Sequence, residues 1–362
     1  MKKNRVSFLL MFIYIVGLFF PLSTFAEGNS QMNLEGFSFE VILPENQHNH
    51  EVTYFDLMMN PGQKQTVKIK MNNSSDEEIQ ISVKMNGAKT NSNGVIEYGP
   101  NQLENDASLK HDFIDIVKGP KEVKIPAKSS IMAEFNISMP EATIEGYISG
   151  GIQLEQLNAE GVKKETETGM VVNKFAYLVG MLLSEKDTTA IKPDMKLNKV
   201  HPELQNYRNA VFVNFSNIMP VYTEDMTVDV QLMKKGSAEV LYNTKKSNMR
   251  MAPNSMINFP ISMNGEKMVP GDYEAKILVT TAAGEKWSWE EPFKITKEEA
   301  DKFNSEDLSL VQDRKIDWKL IGMFVGGLLV IFGVVFLIVH SVNKKKKEKL
   351  RKKKNRKKKK ER

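Results

Sequence analysis

Between residues 28 and 297 the chain is written in short runs whose apolar residues fall two apart, and this period restricts it more than any other feature. Val67-Lys68-Ile69-Lys70-Met71, Ile79-Gln80-Ile81-Ser82-Val83, Val211-Phe212-Val213-Asn214-Phe215 and Met226-Thr227-Val228-Asp229-Val230 each set alternate side chains on one face. A strand of that kind buries one face and wets the other. Turn formers separate the runs: Asn60-Pro61-Gly62, Asn72-Asn73-Ser74-Ser75-Asp76, Asn91-Ser92-Asn93-Gly94 and Pro270-Gly271-Asp272. Short strands at this spacing predict an all-β chain built of antiparallel sandwiches.

Two segments repeat one arrangement. Residues 126–154 read PAKSSIMAEFNISMPEATIEGYISGGIQL and residues 253–280 read PNSMINFPISMNGEKMVPGDYEAKILVT. Each has a Pro-led turn, an alternating run ending in Ser-Met, a gap, then Gly and Tyr opening a second run. In an immunoglobulin-like sandwich a Tyr near the start of a late strand closes a corner through its hydroxyl. Tyr147 and Tyr273 are therefore expected at the same corner of two tandem immunoglobulin-like sandwiches, after strands Ile131–Met139 and Met256–Met263. The polar stretch Asn158–Thr168 reads as a hairpin loop that returns through Met170–Leu183 to pair with the run ending at Leu154. That pairing closes the first domain as 28–185. The second, 191–297, holds candidate strands Met195–Val200, Ala210–Phe215, Met226–Met233, Glu239–Asn243, Met256–Met263, Tyr273–Thr280 and Lys286–Lys294, enough for a complete sandwich. A charged stalk is expected over 298–317.

The flanks read as targeting and anchoring segments. Lys2, Lys3 and Arg5 precede an apolar stretch from Val6 to Phe20, and Thr24-Phe25-Ala26 offers small residues at a cut, so 1–26 is expected to be a secretory signal peptide. Leu320 to Val339 carries no charge and is long enough for a membrane-spanning helix, placed at 320–342, with Trp318 and Lys344 at its two ends. The tail, 343–362, is dominated by Lys and Arg and is expected to stay in the cytoplasm against anionic lipid. Nothing folded or aromatic accompanies its charge, which argues against nucleic acid as a partner. With the three cations of the leader and the fifteen of the tail set aside, 32 basic residues face 43 acidic ones, a net of −11. The exported region is acidic and does not adhere to anionic wall polymers by bulk charge. It contains no Cys, which excludes a disulfide-stapled scaffold, a thiol nucleophile and a thiolate metal site.

The usual signs of catalysis are missing. His48 and His50 flank Asn49 in a polar turn without further ligands at metal spacing, His111 and His201 stand alone, and His340 falls at the inner membrane face. The only Ser-x-x-Lys, Ser341-Val342-Asn343-Lys344, lies on the cytoplasmic side, and no nucleophile elbow surrounds Ser149. Met58-Met59 and Met249-Arg250-Met251 read as flexible core filler before they read as copper ligands. Trp287-Ser288-Trp289 puts two indoles on one face of a strand, either as core or as a stacking platform. Gly322-Met323-Phe324-Val325-Gly326 is a small-residue pattern that can pair helices. No catalytic, cofactor-binding or metal residue is assigned, no cofactor is expected, and the ligand-contacting residues stay unnamed.

Five strings carry a family resemblance: FSFEVILPENQ (Phe37 to Gln47), TYFDLMMNPGQKQTVKIKMNNSSDEEI (Thr53 to Ile79), TNSNGVIEYG (Thr90 to Gly99), GYISGGIQLE (Gly146 to Glu155) and MAPNSMINFPI (Met251 to Ile261). In this order, ahead of an apolar span and a Lys-rich tail, they resemble the WxL-interacting proteins of Gram-positive bacteria. The resemblance implies a peptidoglycan-binding first domain and a host-binding second one, working with secreted WxL-domain proteins. It also implies that the second domain starts upstream of Met170, where the hairpin argument does not put it. The expectation is a single-pass membrane protein with its two domains outside the cell, within or beyond the wall. It would scaffold WxL-domain proteins and peptidoglycan, with host extracellular-matrix proteins as a further partner. A wall-associated enzyme, or a surface sensor acting through a partner, is the alternative.

Overall fold

The computed structural model describes residues 36–157, 176–310, 322–334, 337 and 344. The expected leader 1–26, the loop 158–168 and all of the tail but Lys344 lie outside the described residues. The first sandwich packs a four-stranded sheet, in the order β1 (Phe37–Ile42), β3 (Lys64–Asn73), β9 (Ser129–Ser138), β7 (Val117–Lys118), on a five-stranded one. The latter runs β2 (Phe55–Met58), β11 (Ala176–Ser184), β10 (Ile148–Gln156), β4 (Ile79–Gly87), β8 (Glu122–Ile125). Alternation does the work: Val67, Ile69 and Met71 of β3 face Ile81 and Val83 of β4 and Ile152 and Leu154 of β10 in one core. The chain start is split between the sheets. β1 pairs antiparallel with β3, whereas β2 pairs parallel with β11, Met181 opposite Phe55. β11 also pairs along β10, Ile152 opposite Val179. Between β4 and β7 a short hairpin, β5 (Lys89–Thr90) and β6 (Ile96–Glu97), leaves the sandwich body, and one helical turn, α1 (Phe113–Ile116), sets Phe113 and Ile116 into the first core.

The second sandwich pairs the sheet β12 (Met195–Gln205), β13 (Arg208–Asn217), β16 (Ser255–Ser262) with β15 (Val240–Met251), β14 (Thr223–Lys234), β17 (Gly271–Thr281), β18 (Lys286–Ile295). All the strands expected from period two in this half are present, and β15 runs on to Met251. Phe215, Phe259, Val228, Val230 and Ile277 form its separate core. The register Trp289 opposite Ile277 turns both indoles inward. Trp289 lies 6.3 Å from the Phe215 ring and the Trp287 Nε1–H donates to Asp194 at 2.9 Å, so the pair packs on the core.

The stretch expected as a charged stalk, with helix left open, is helical at its start and packs on the second sandwich. Thr296 and Glu299 form a reciprocal capping box that opens α2 (Lys297–Glu306). Ala300 is buried and Phe303 packs on the second core, while Asn304 bonds to Asn209 and to Met268, and the Asp307 carboxylate accepts from the Asn209 N–H at 2.7 Å. Lys297, Glu298, Asp301 and Lys302 face solvent. Their density suggested a stalk, but the spacing of Ala300 and Phe303 gives the helix one face to bury. Further on, residues 322–334 are helical with exposed side chains, and among the described residues no helix is long and apolar enough to cross a membrane.

The twin segments occupy equivalent places. β9 and β16 both begin at a Ser that follows a left-handed residue, Lys128 (φ 51°) and Asn254 (φ 47°). In each case the Asn that ends the neighbouring strand pins the turn. Asn73 Nδ2 donates to the carbonyls of Ile125 and Pro126, both at 3.0 Å, and Asn217 Nδ2 to those of Val221 and Ala252, at 2.7 and 3.2 Å. The corner itself is closed only once. Tyr273 donates its hydroxyl to the Val269 carbonyl at 2.8 Å. Tyr147 makes no such bond, because its strand start is turned toward the other sandwich, its N–H donating to the Pro220 carbonyl at 2.7 Å. Tyr273→Phe should therefore cost about 1 kcal/mol, the net value of one hydrogen bond, and Tyr147→Phe close to nothing. Urea melts of the two variants beside the parent check the difference.

The seam between the sandwiches as candidate functional site

The β5–β6 hairpin is too short to hold itself together and takes its support from the other sandwich. Thr90 Oγ1 lies 2.6 Å from Ser255 Oγ and accepts the Ala252 N–H at 3.0 Å. At the hairpin tip the Gly94 carbonyl accepts from the Arg250 N–H at 2.8 Å, and Asn93 accepts from the Lys246 ammonium at 2.8 Å. Beyond the hairpin Tyr98 donates to Tyr222 at 3.2 Å, and Tyr222 is also hydrogen-bonded to Ser149. Asn254 donates to the Ser108 hydroxyl at 3.0 Å. The Tyr147 and Tyr222 rings are 5.9 Å apart.

Two glycines let the sandwiches approach this closely. Gly94 (φ 69°) lies under Met249, and a Cβ there would sit 2.6 Å from the Met249 Cβ. At Gly146 (φ 74°) it would sit 2.1 Å from the Pro220 carbonyl oxygen, closer than any real contact. Both also require a left-handed backbone, which glycine adopts without penalty.

Asp106 is the buried charge of the seam. It accepts from the Ser108 N–H and hydroxyl, at 2.8 and 2.6 Å, and from the Ser216 hydroxyl across the junction. Burial pulls its pKa up, but the hydrogen bonds from Ser108 and Ser216 favour the anion more, and the net shift is downward. The stabilisation is full above the unfolded carboxyl's value of about 3.9 and is lost as pH falls through the lower folded value. Acidification below about pH 4 should therefore loosen the seam, and Asp106→Asn should flatten that part of the pH–stability curve. Thermal melts across a pH series measure it.

Where the loops 108–111 and 143–148 of the first sandwich face 218–220 of the second, the seam opens into a cleft of about 490 Å³. Ile148, Met219 and Pro220 make its apolar part, and Lys110, His111, Glu145, Tyr147 and Asn254 bring polar groups to it. Of the residues singled out in the sequence, His111 and Tyr147 reach this cleft, Ser149 lies in the seam, and Met249 and Met251 are core under the hairpin. His48 and His50 are on a turn away from it, and His201 contacts Glu203 at 3.1 Å. Among the described residues no three His, Cys, Asp or Glu come together as metal ligands. Thr90, Tyr98, Asp106 and Tyr222 were not singled out one by one. The signal that held Thr90 and Tyr98 was the strings: TNSNGVIEYG, GYISGGIQLE and MAPNSMINFPI, far apart in sequence, all meet at this seam.

Comparison with known proteins agrees with those strings. Residues 37–156 match the family model of the WxL Interacting Protein, peptidoglycan binding domain. Residues 166–305 match that of the WxL Interacting Protein, host binding domain. The second match thus takes in β11, which pairs within the first sandwich. No curated protein matches the chain. Among solved structures it is similar to a chain of the chaperone–tip adhesin complex of CFA/I fimbriae biogenesis, at 12% identity over 71% of this chain and 97% of that one, with a TM-score of 0.28. The E. coli chaperone DraB aligns at 11% identity over 72% and 97%, TM-score 0.24. A PapD-like domain of human CEP192 aligns at 8% identity over 46% and 97%, TM-score 0.28. With both domain models matched in tandem over the two sandwiches, the chain belongs to the WxL-interacting protein family.

Proposed function

We propose that the protein is a membrane-anchored scaffold of the cell surface that holds WxL-domain proteins and peptidoglycan together, with host matrix as a further ligand, and that it is not an enzyme. A peptidoglycan-binding and a host-binding domain give it a binding role at the cell surface. The observation that carries the reading further is the seam, which joins those two domains into one body by hydrogen bonds at Thr90 of β5 and at Asn93 and Gly94 of the hairpin tip. A protein that only tethered two binding modules would need a linker; one that presents a composite surface needs a fixed angle between them. Thr90, Tyr98, Asp106, Tyr222 and Asn254 are hydrogen-bonded across the junction, which supports a structural use for them over a nucleophile–base pair. Anchoring rests on the apolar run Leu320 to Val339 and the basic tail.

The test uses the exported region, residues 28–309, which holds both cores as formed among the described residues. It should sediment with purified sacculi without releasing soluble muropeptides, and should bind a WxL-domain protein at a ratio near one to one. With a net charge of −11 outside the leader and tail, long-range attraction to an acidic or neutral partner is absent, so binding should survive about 0.3 M salt, where screening is already strong. Muropeptide release would restore the enzyme reading, and loss of the partner at that salt would move its contact to charged loops. Surface proteolysis of intact cells that trims the two domains but spares the tail checks the orientation.

A further inference from the structure

The cleft in the seam holds charges of both signs that nothing in the fold uses. Lys110 and Glu145 are exposed at its rim and His111 is half-buried, and among the described residues none of them enters an ion pair or a hydrogen bond. The Tyr147 hydroxyl also has no partner among the described residues, although the ring is held against Tyr222. This differs from the rest of the junction, where Asp106, Thr90, Tyr98, Tyr222 and Asn254 are all engaged. The cleft's size is in the range of small-ligand sites, and such sites favour the boundary between two domains.

We infer that this cleft binds a short zwitterionic peptide of the kind that forms the stem peptide of peptidoglycan, its carboxylates held by Lys110 and His111 and its free amine by Glu145. The inference rests on the peptidoglycan-binding reading and places the peptide part of that ligand. A glycan strand fits less well. Sugar rings are held by open aromatic faces, and Tyr147, the one phenol ring of the lining, already has a face turned to Tyr222. A peptide with both charges complements Lys110 and Glu145 together, and bonding to unpaired ionised groups is the stronger kind of hydrogen bond. Because one wall comes from residues 108–111 and 143–148 and the other from 218–220 and Asn254, the bound peptide would touch both sandwiches.

The experiment measures binding of a soluble synthetic stem peptide to residues 28–309 by calorimetry. In parallel it measures sedimentation with sacculi before and after an amidase has stripped their peptides. Lys110→Glu and Glu145→Lys, both at exposed positions, should each weaken peptide binding at least 10-fold without changing the melting temperature, and stripping should abolish sedimentation. Peptide affinity unchanged in both variants, or undiminished binding to stripped glycan, overturns the inference while leaving the surface-binding role intact. Peptide binding that depends on both residues, in a protein that ignores intact sacculi, supports the cleft and instead removes peptidoglycan from the proposed function.

Discussion

Gly146→Ala should break the junction between the sandwiches. A Cβ at this position would stand 2.1 Å from the Pro220 carbonyl oxygen, and that neighbour is backbone, which cannot swing aside. The left-handed backbone (φ 74°) adds roughly 1 kcal/mol for any residue with a side chain. To relieve the overlap, residues 146–147 must withdraw from 220, which breaks the Tyr147 N–H bond to Pro220 and pulls Ser149 from Tyr222. The expected loss is about 3 kcal/mol or more, in the range reserved for overpacking against an immovable neighbour. Small-angle scattering should show a larger radius of gyration, and one unfolding transition should divide into two. Gly236→Ala is the control: its φ is 78°, yet nothing lies within 4 Å of the added carbon, so only the backbone penalty applies. Equal behaviour of the two variants would mean that the seam is not closed in solution.

Asn217→Ala is expected to be as damaging, by another route. The side chain is fully buried, donates to the Val221 and Ala252 carbonyls, and accepts the Met219 N–H at 3.2 Å. Alanine leaves those three groups inside without partners, each worth about 1–3 kcal/mol, so a loss of about 3 kcal/mol or more follows. Asn73→Ala removes the matching device from the first sandwich, where the side chain binds Glu77, Ile125 and Pro126. Both variants should lose stability in urea. Only Asn217→Ala should also disturb the cleft, because the loop it pins carries Met219 and Pro220.

The strands of both sandwiches were legible because water on one side and core on the other leave a period-two trace in the residues. The trace fades where burial fades. In the middle of β15, Lys245-Lys246-Ser247-Asn248 offers no apolar alternation and holds its strand through pairing with β14, before Met249 and Met251 return to the core. β5 and β6 are two residues each and exist because Met249, Ala252 and Ser255 receive them. No local pattern encodes a support supplied from over a hundred and fifty residues away. The Trp pair could be placed on one face of its strand with core and platform both open, and the register with β17 decides for the core. Tyr147 and Tyr273 follow similar words and end in different surroundings, because one neighbour is a loop of its own domain and the other is the next domain. α2 was obscured by its charges, although Thr296 and Glu299 already spelled its cap. The seam showed itself only indirectly, through strings that carried a resemblance without saying why.

Any pull between a ligand held by the sandwiches and the C-terminal apolar segment runs through α2. That helix has 10 residues and is fastened by a few side chains, Ala300, Phe303, Asn304 and Asp307, whereas the strands behind it are held in long ladders. Under tension it is the first element to peel. Drawing it from a rise of about 1.5 Å per residue to about 3.4 Å would lengthen the tether by roughly 20 Å, holding the force on both sandwiches and their junction to that needed to peel the helix until the slack is spent. The helix thus works as a fuse in the mechanical sense, yielding reversibly before the parts that hold the ligands are strained.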